Sequence, residues 1–256
     1  MMILCIGDSI TLGMVGYSYI PFADKKQQLV NLGVNGESLR GGVRRLCRYM
    51  RKRAYREADT VIFALGTNDI LLPYLGNRSR FWHMQYRFRN IIRSFCSDIG
   101  EFAGYYEEAV RQMKGNGYKV VLVSLPYIQL ADYPLGKVEA YNSCIRSLAR
   151  TYDAEFVDIY EIQKKRVRLD RTCSWGRLNV GRIADGLYML LFPGRKDALS
   201  RRRGLDVTVD GVHFNSRSAR MLAEAIRRAL ERMDAKSSRA RQELPERRSG
   251  TCSGIR

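Results

Sequence analysis

Short apolar runs alternate with longer amphipathic stretches along most of the chain. Each run is bounded by turn residues or helix-start residues, which is typical of short buried strands. The five predicted strands are Met2–Ile6, Gln28–Leu32, Thr60–Leu65, Tyr118–Ser124 and Glu155–Ile159.

Four stretches between and after these strands carry apolar residues at helical spacing. The first begins after Ser38, a predicted N-cap, and the last begins after a cap at Asn215 or Ser216. The apolar face of the first consists of Leu39, Val43, Leu46 and Met50, and the other two helices are Glu101–Lys114 and Lys137–Thr151. Because strands that alternate with helices pair in parallel through right-handed crossovers, we predict an α/β fold. It is a three-layer α/β/α sandwich with a mostly parallel five-stranded sheet.

The predicted domain covers residues 1–235 and contains two segments that do not fit this alternation. Residues 70–96 are rich in aromatic side chains, and residues 161–206 mix basic clusters with apolar residues. They are either insertions over the strand ends that shape a pocket, or helices that pack on the core. Residues 236–256 lose their apolar positions and are predicted to form a disordered basic tail.

The composition, 45% hydrophobic over 256 residues, excludes a disordered chain and a collagen-like repeat. The formal net charge is +18, which would attract an anionic partner such as nucleic acid, lipid, acidic glycan or a phosphate-bearing carrier. A solvated arginine-rich surface without a dedicated partner is the interpretation that we favour, because net charge specifies function only weakly. No nucleic-acid-binding module is recognisable. One stretch could form a basic helix face, with Arg40, Arg44, Arg45, Arg48, Arg51, Lys52, Arg53 and Arg56.

The sequence shows no cysteine motif, membrane span or secretory signal. Six widely spaced cysteines form no CxxC pair, so neither a zinc site nor a disulfide framework is predicted. No apolar stretch approaches the roughly 18 residues that a membrane span needs. The amino terminus shows no secretory signal, so we expect a cytoplasmic protein unless a leader has been removed. The sequence does not indicate an oligomeric state.

Candidate reactive side chains follow predicted strands or precede the last helix. In parallel α/β sheets, ligands bind beyond the carboxyl ends of the strands. The first strand is followed by Gly7-Asp8-Ser9, and the turn into a helix would expose the Ser9 hydroxyl. Asp210 precedes His213 by three residues, a spacing at which a carboxylate can orient an imidazole that accepts a proton. The other histidine, His83, has no carboxylate nearby in the sequence.

Candidate hydrogen-bond donors follow the second and third strands. A glycine after the second strand, Gly33 or Gly36, offers a backbone amide that a ligand can approach closely. Asn68 follows the third strand, where its side-chain amide could donate to an oxyanion or simply cap a turn.

Taken in order over residues 1–233, these motifs resemble the SGNH hydrolases, the GDSL-type esterase and lipase family. The motifs are Gly7-Asp8-Ser9-Ile10, Gly66-Thr67-Asn68-Asp69 and Asp210-Gly211-Val212-His213, with Gly36 as the glycine block. The resemblance implies a flavodoxin-like fold.

The resemblance also implies a role for each residue of the site. Ser9 would be the nucleophile, His213 the general base and Asp210 the carboxylate that orients it. The implied oxyanion hole consists of the Ser9 and Gly36 amides and the Asn68 side chain. Gly36 is preferred to Gly33 because the family glycine typically precedes an acidic or polar residue, and Asp8 and Asp69 are supporting residues.

The function implied is hydrolysis of carboxylic esters through an acyl-enzyme, without a metal or an organic cofactor. The expected partner is a small acyl-ester substrate, and the positive charge slightly favours an anionic one. Alternatives of the same fold are a carbohydrate O-acetyl esterase, a lysophospholipase or an acyl thioesterase. An alternative of another class is a basic protein that binds an anionic polymer.

Overall fold

A five-stranded parallel sheet forms the centre of the protein, whose computed structural model describes residues 2–24, 26–168, 170–174 and 186–242. The strands are β1 (Met2–Gly7), β2 (Gln28–Gly33), β3 (Ala58–Ala64), β4 (Lys119–Val123) and β5 (Glu155–Val157). They lie in the order β2-β1-β3-β4-β5, and every neighbouring pair is parallel. The predicted sheet is confirmed, and β1 is the second strand, with its carboxyl end between those of β2 and β3.

Helices cover both faces of this sheet. They are α1 (Ser9–Leu12), α2 (Leu39–Met50), α3 (Thr67–Gly76), α4 (Arg80–Arg93), α5 (Ile99–Gly115), α6 (Leu135–Thr151), α7 (Ile159–Lys164), α8 (described over 186–191), α9 (Lys196–Arg202) and α10 (Ser216–Gln242). Three short 3₁₀ turns lie at Ile20–Phe22, Arg53–Tyr55 and Pro193–Arg195.

Alternate residues of each strand point to opposite faces, and both faces are apolar. In β1, Leu4 and Ile6 pack into a core with α2, α5 and α6. Ile3 and Cys5 pack into a second core with α10. This is the predicted three-layer α/β/α arrangement. The strands β1, β3 and β4 bury both faces, as parallel sheets require, whereas the edge strand β2 exposes Gln28 and Asn31.

Two predicted helix caps are confirmed. Ser38 Oγ accepts a hydrogen bond from the Gly41 amide at 3.0 Å, and Asn215 Oδ1 accepts one from the Ser218 amide at 3.0 Å. Each cap satisfies an amide at a helix start that has no partner inside the helix. Both caps lie close to the candidate site, so they fix the directions in which α2 and α10 leave it.

The last helix extends beyond the predicted domain end at residue 235. Residues 236–242, which were assigned to the tail, continue α10, and residues 243–256 lie outside the described part of the chain. Lys236 Nζ lies 3.0 Å from Glu155 Oε1, so the helix remains paired with the start of β5 at this point. Among the described residues, no helix combines the length and the apolar character needed to cross a membrane.

The aromatic segment 70–96 is mostly helical. Within α3, Ile70, Leu71, Leu72 and Leu75 are buried in the core. The next helix, α4, lies at the surface, and its exposed apolar residues are Met84, Phe88, Ile91 and Ile92. Of the second segment, 161–206, residues 169 and 175–185 lie outside the described part of the chain.

Candidate active site

Ser9, His213 and Asp210 form one hydrogen-bonded chain at the carboxyl end of β1. His213 Nε2 lies 3.1 Å from Ser9 Oγ, although the two residues are 204 positions apart. His213 Nδ1 lies 2.8 Å from Oδ2 of Asp210. Because a carboxylate can only accept, Nδ1 carries the proton of the neutral ring and Nε2 is left to accept one from the serine hydroxyl.

The Asp210 carboxylate is held on both of its oxygens. Oδ1 accepts the backbone amides of Val212 at 2.9 Å and His213 at 2.8 Å, while Oδ2 faces the imidazole. The side chain is fully buried. The four-residue turn 210–213 therefore fixes the carboxylate and the imidazole together. His83, by contrast, is exposed on α4.

Asp8 caps α1 directly before Ser9. Its Oδ1 accepts the Ile10 amide at 2.9 Å, and only 2% of the residue is exposed. Burial raises the pKa of this carboxyl to about 6, opposed by the Ile10 amide and by the nearby charge of His213. Asp8 thus fixes the turn that presents Ser9, and it has no contact with the Ser9 hydroxyl among the hydrogen bonds of the described residues.

Lys196 on α9 holds the loop that follows Ser9, a role that the sequence did not indicate. Its Nζ donates to three carbonyl oxygens, at 3.3 Å for Gly13, 2.9 Å for Met14 and 2.7 Å for Gly16. Burial lowers the pKa of this ammonium. Gly16 in turn packs so closely that a methyl group on it would lie 2.8 Å from the Cβ of His213. Lys196 therefore supports the Ser9 side and the His213 side together.

Two of the candidate oxyanion donors are backbone amides. Among the described residues, no acceptor takes the amide hydrogen of Ser9 or of Gly36. The amide of Gly33, the alternative candidate, already has an acceptor, because it donates to Asn31 Oδ1 at 3.0 Å. Gly36 has a φ of +63°, a left-handed conformation that glycine adopts without strain. The geometry therefore favours Gly36 over Gly33.

Asn68, the third candidate donor, lies at the start of α3 and is 5% exposed. One hydrogen of its Nδ2 is donated to the carbonyl oxygen of Glu37 at 3.0 Å. An amide nitrogen carries two hydrogens, so the second is available to a ligand. The bond to Glu37 also couples Asn68 to the turn that contains Gly36.

Asp69 supports the fold around the site and does not bond to Ser9. Its Oδ2 accepts the Leu39 amide at 2.9 Å and its Oδ1 accepts the Cys96 amide at 2.8 Å. Burial raises its pKa to about 6. The carboxyl group thereby ties the start of α2 to the chain after α4.

An ion-pair network around the buried Glu37 carboxylate, which the sequence did not reveal, fixes the Gly36 turn. Glu37 Oε2 accepts from Arg45 Nε at 2.8 Å, and Glu37 Oε1 accepts from Arg93 Nη1 at 2.8 Å. Arg45 also donates to the carbonyl of Leu32 at 2.6 Å. The predicted basic helix face is therefore interrupted. The side chain of Arg45 is only 12% exposed and points to the ends of β1 and β2, and α2 ends before the last four of the predicted basic residues.

The site is built from these side chains and backbone amides. Among the described residues, no group of three or more histidine, cysteine or acidic side chains is arranged to hold a metal ion. The sequence also matches the model of the family described as GDSL-like Lipase/Acylhydrolase, over residues 3–226. The chain belongs to this family. As a GDSL-like lipase/acylhydrolase, it is an ester hydrolase.

Solved structures similar to this GDSL-like hydrolase share its fold. A lipase/acylhydrolase from Enterococcus faecalis is 15% identical, with 89% of this chain and 93% of that chain covered and a TM-score of 0.56. A GDSL-like lipase from Bacteroides thetaiotaomicron is 18% identical, with 91% and 88% covered and a TM-score of 0.57. The acetyl xylan esterase AlAXEase is also 18% identical, with 90% and 99% covered and a TM-score of 0.54. No curated protein sequence matches the chain.

Proposed function

We propose that this ester hydrolase cleaves carboxylic esters through a Ser-His-Asp triad and a covalent acyl-enzyme. The observation that carries the proposal is the continuous chain from Ser9 Oγ to His213 Nε2 at 3.1 Å and from His213 Nδ1 to Asp210 Oδ2 at 2.8 Å. A hydroxyl, an imidazole and a buried carboxylate in this order are the constituents of nucleophilic acyl transfer.

In the first half of the reaction, Ser9 Oγ attacks the ester carbonyl carbon while its proton passes to His213 Nε2. The carbonyl π electrons move to the oxygen, which accepts hydrogen bonds from the Ser9 and Gly36 amides and from Asn68 Nδ2. The tetrahedral intermediate then collapses, the bond to the leaving oxygen breaks, and this oxygen takes the proton from His213. The acyl group remains on Ser9.

In the second half, water replaces the alcohol. His213 Nε2 accepts a proton from water as the water oxygen attacks the acyl carbon. The bond between this carbon and Ser9 Oγ breaks, and the proton returns to the serine oxygen. Asp210 Oδ2 accepts the hydrogen bond from His213 Nδ1 throughout, so the carboxylate stabilises the imidazolium formed in each half.

The test is hydrolysis of p-nitrophenyl acetate by the wild type and by Ser9→Ala. We expect the substitution to lower kcat by about 10⁴-fold or more, as loss of a triad nucleophile does elsewhere. Ser143→Ala is a matched control because Ser143 is exposed on α6. Retention of hydrolysis by a folded Ser9→Ala variant would contradict the proposal, as would salt-sensitive polyanion binding as the protein's only activity.

A further inference from the structure

Arg89 lies on the inward face of α4, beside the candidate oxyanion hole. The residue is half-buried, whereas its neighbours Arg87 and Phe88 on the same helix are exposed. A methyl group on Gly36 would lie 2.9 Å from Arg89 Nη1, so the guanidinium covers this glycine directly. Arg89 is therefore part of the wall around Gly36.

The guanidinium of Arg89 has no anionic partner within the part of the chain that the structure describes. The carboxylate of Glu37, the residue after Gly36, is paired with two other arginines, Arg45 and Arg93. Burial and the neighbouring charge of Arg93 both lower the pKa of Arg89. A half-buried cation in a positive environment is stabilised when an anion binds beside it.

Backbone geometry sets an upper limit on the distance between the Arg89 guanidinium and the Gly36 amide. The Gly36 nitrogen and a methyl on its Cα are separated by two bonds, so Arg89 Nη1 lies within about 5.5 Å of this nitrogen. An oxyanion bound to the amide would lie about 3 Å from the nitrogen. Substrate atoms a few bonds from the ester carbonyl therefore come within reach of the guanidinium.

We propose that Arg89 is a specificity residue that binds an anionic group, a carboxylate or a phosphate, carried by the ester substrate. The planar guanidinium presents paired donors that match the oxygens of either group. The inference rests on the proposed ester hydrolysis and adds the class of substrate. The anionic group lies either on the acyl chain or on the alcohol portion, and the experiment separates these two sources.

The experiment compares two pairs of esters, each consisting of an anionic ester and its neutral methyl ester. The acyl-side pair is p-nitrophenyl monoglutarate and p-nitrophenyl methyl glutarate. The alcohol-side pair is p-acetoxybenzoate and methyl p-acetoxybenzoate. The enzymes are the wild type, Arg89→Gln, Arg89→Lys and the control Arg87→Gln, which alters an exposed arginine on the same helix. The readout is kcat/KM for each ester after subtraction of spontaneous hydrolysis.

We expect Arg89→Gln to lower kcat/KM about 10- to 100-fold for the anionic member of at least one pair, the effect of losing one charged hydrogen-bonded contact. The neutral members should change little. Arg89→Lys should restore part of the loss, and Arg87→Gln should behave as the wild type. The pair that responds identifies which side of the ester carries the anion.

An equal loss on the anionic and neutral members would overturn the inference and make Arg89 a positioning residue of the Gly36 turn. Unchanged rates in both pairs would overturn it as well. In either case the neutral esters are still hydrolysed by the wild type, so the proposed function stands. If the wild type hydrolyses p-nitrophenyl acetate but none of these four esters, the inference alone is overturned. If it hydrolyses none of the five esters, the proposed function fails and the inference fails with it.

Discussion

Replacement of Asn68 by alanine tests how much of the proposed transition-state stabilisation comes from one side-chain amide. One Nδ2 hydrogen is held by the Glu37 carbonyl at 3.0 Å, so the amide is oriented before any substrate arrives. The remaining hydrogen is a single donor to the oxyanion. Loss of one such donor costs about 2.7–4 kcal/mol in the transition state, which lowers kcat by about 10²- to 10³-fold.

The same substitution has a smaller effect on stability. It removes one buried hydrogen bond, whose net contribution is about 1 kcal/mol, and leaves the Glu37 carbonyl without this donor. A domain of this size has a free energy of unfolding of roughly 5–15 kcal/mol, so the variant should remain folded. The expected loss of rate therefore cannot be attributed to unfolding.

The assay is steady-state hydrolysis of p-nitrophenyl acetate, with circular dichroism and urea unfolding to verify the fold. Asn142→Ala is a matched control, because Asn142, on α6, is as buried as Asn68. Its Oδ1 accepts the Leu125 amide at 2.7 Å, and its Nδ2 donates to the Leu125 carbonyl at 3.1 Å. It should lose stability without losing kcat. A folded Asn68→Ala variant with nearly normal kcat would refute the reasoning, as would an equal loss of kcat in both variants.

Two further predictions concern the histidines and Asp8. His213→Ala should lower kcat by about 10⁴-fold or more, whereas His83→Ala should stay close to the wild type, and the opposite ranking would contradict the assignment of the base. Asp8→Asn should become more stable relative to the wild type as pH rises. The folded state keeps the Asp8 proton to about pH 6 while the unfolded chain releases it near 3.8, so raising pH through this window lowers the wild type's free energy of unfolding. Urea unfolding gives the free energy of unfolding of each protein, and the difference between the two should change by at most about 3 kcal/mol between about pH 4 and pH 7. A difference that stays constant over this pH range would contradict this account.

The features that the sequence predicted well are local or repetitive. The apolar runs predicted all five strands, because a sheet covered on both faces needs nearly continuous apolar strands. Asp210 and His213 could be paired from the sequence because they are three positions apart and a single turn closes the contact. Ser38 was recognisable as a cap since its partner, the Gly41 amide, lies in the same turn.

The features that could not be predicted depend on partners far away in the chain. Lys196 binds backbone carbonyls about 180 positions earlier. Every residue has a backbone carbonyl, so the sequence does not indicate which ones a lysine will bind. Arg45 has the spacing of a surface arginine, and only the register of α2 against the ends of β1 and β2 shows that it points inward. Arg89 lies in an aromatic-rich segment whose packing against the Gly36 turn follows from the fold alone. The pattern of apolar runs likewise did not predict the order of the strands in the sheet.

The central claim, that Ser9 is an activated nucleophile, is tested most directly by labelling with a fluorophosphonate probe followed by peptide mapping. A serine oxygen that attacks phosphorus displaces fluoride and remains covalently modified, as it would be by an acyl group. We predict one labelled site, Ser9, with labelling lost in Ser9→Ala and retained in Ser143→Ala. A label on another residue, or none on protein that hydrolyses esters, would contradict the account.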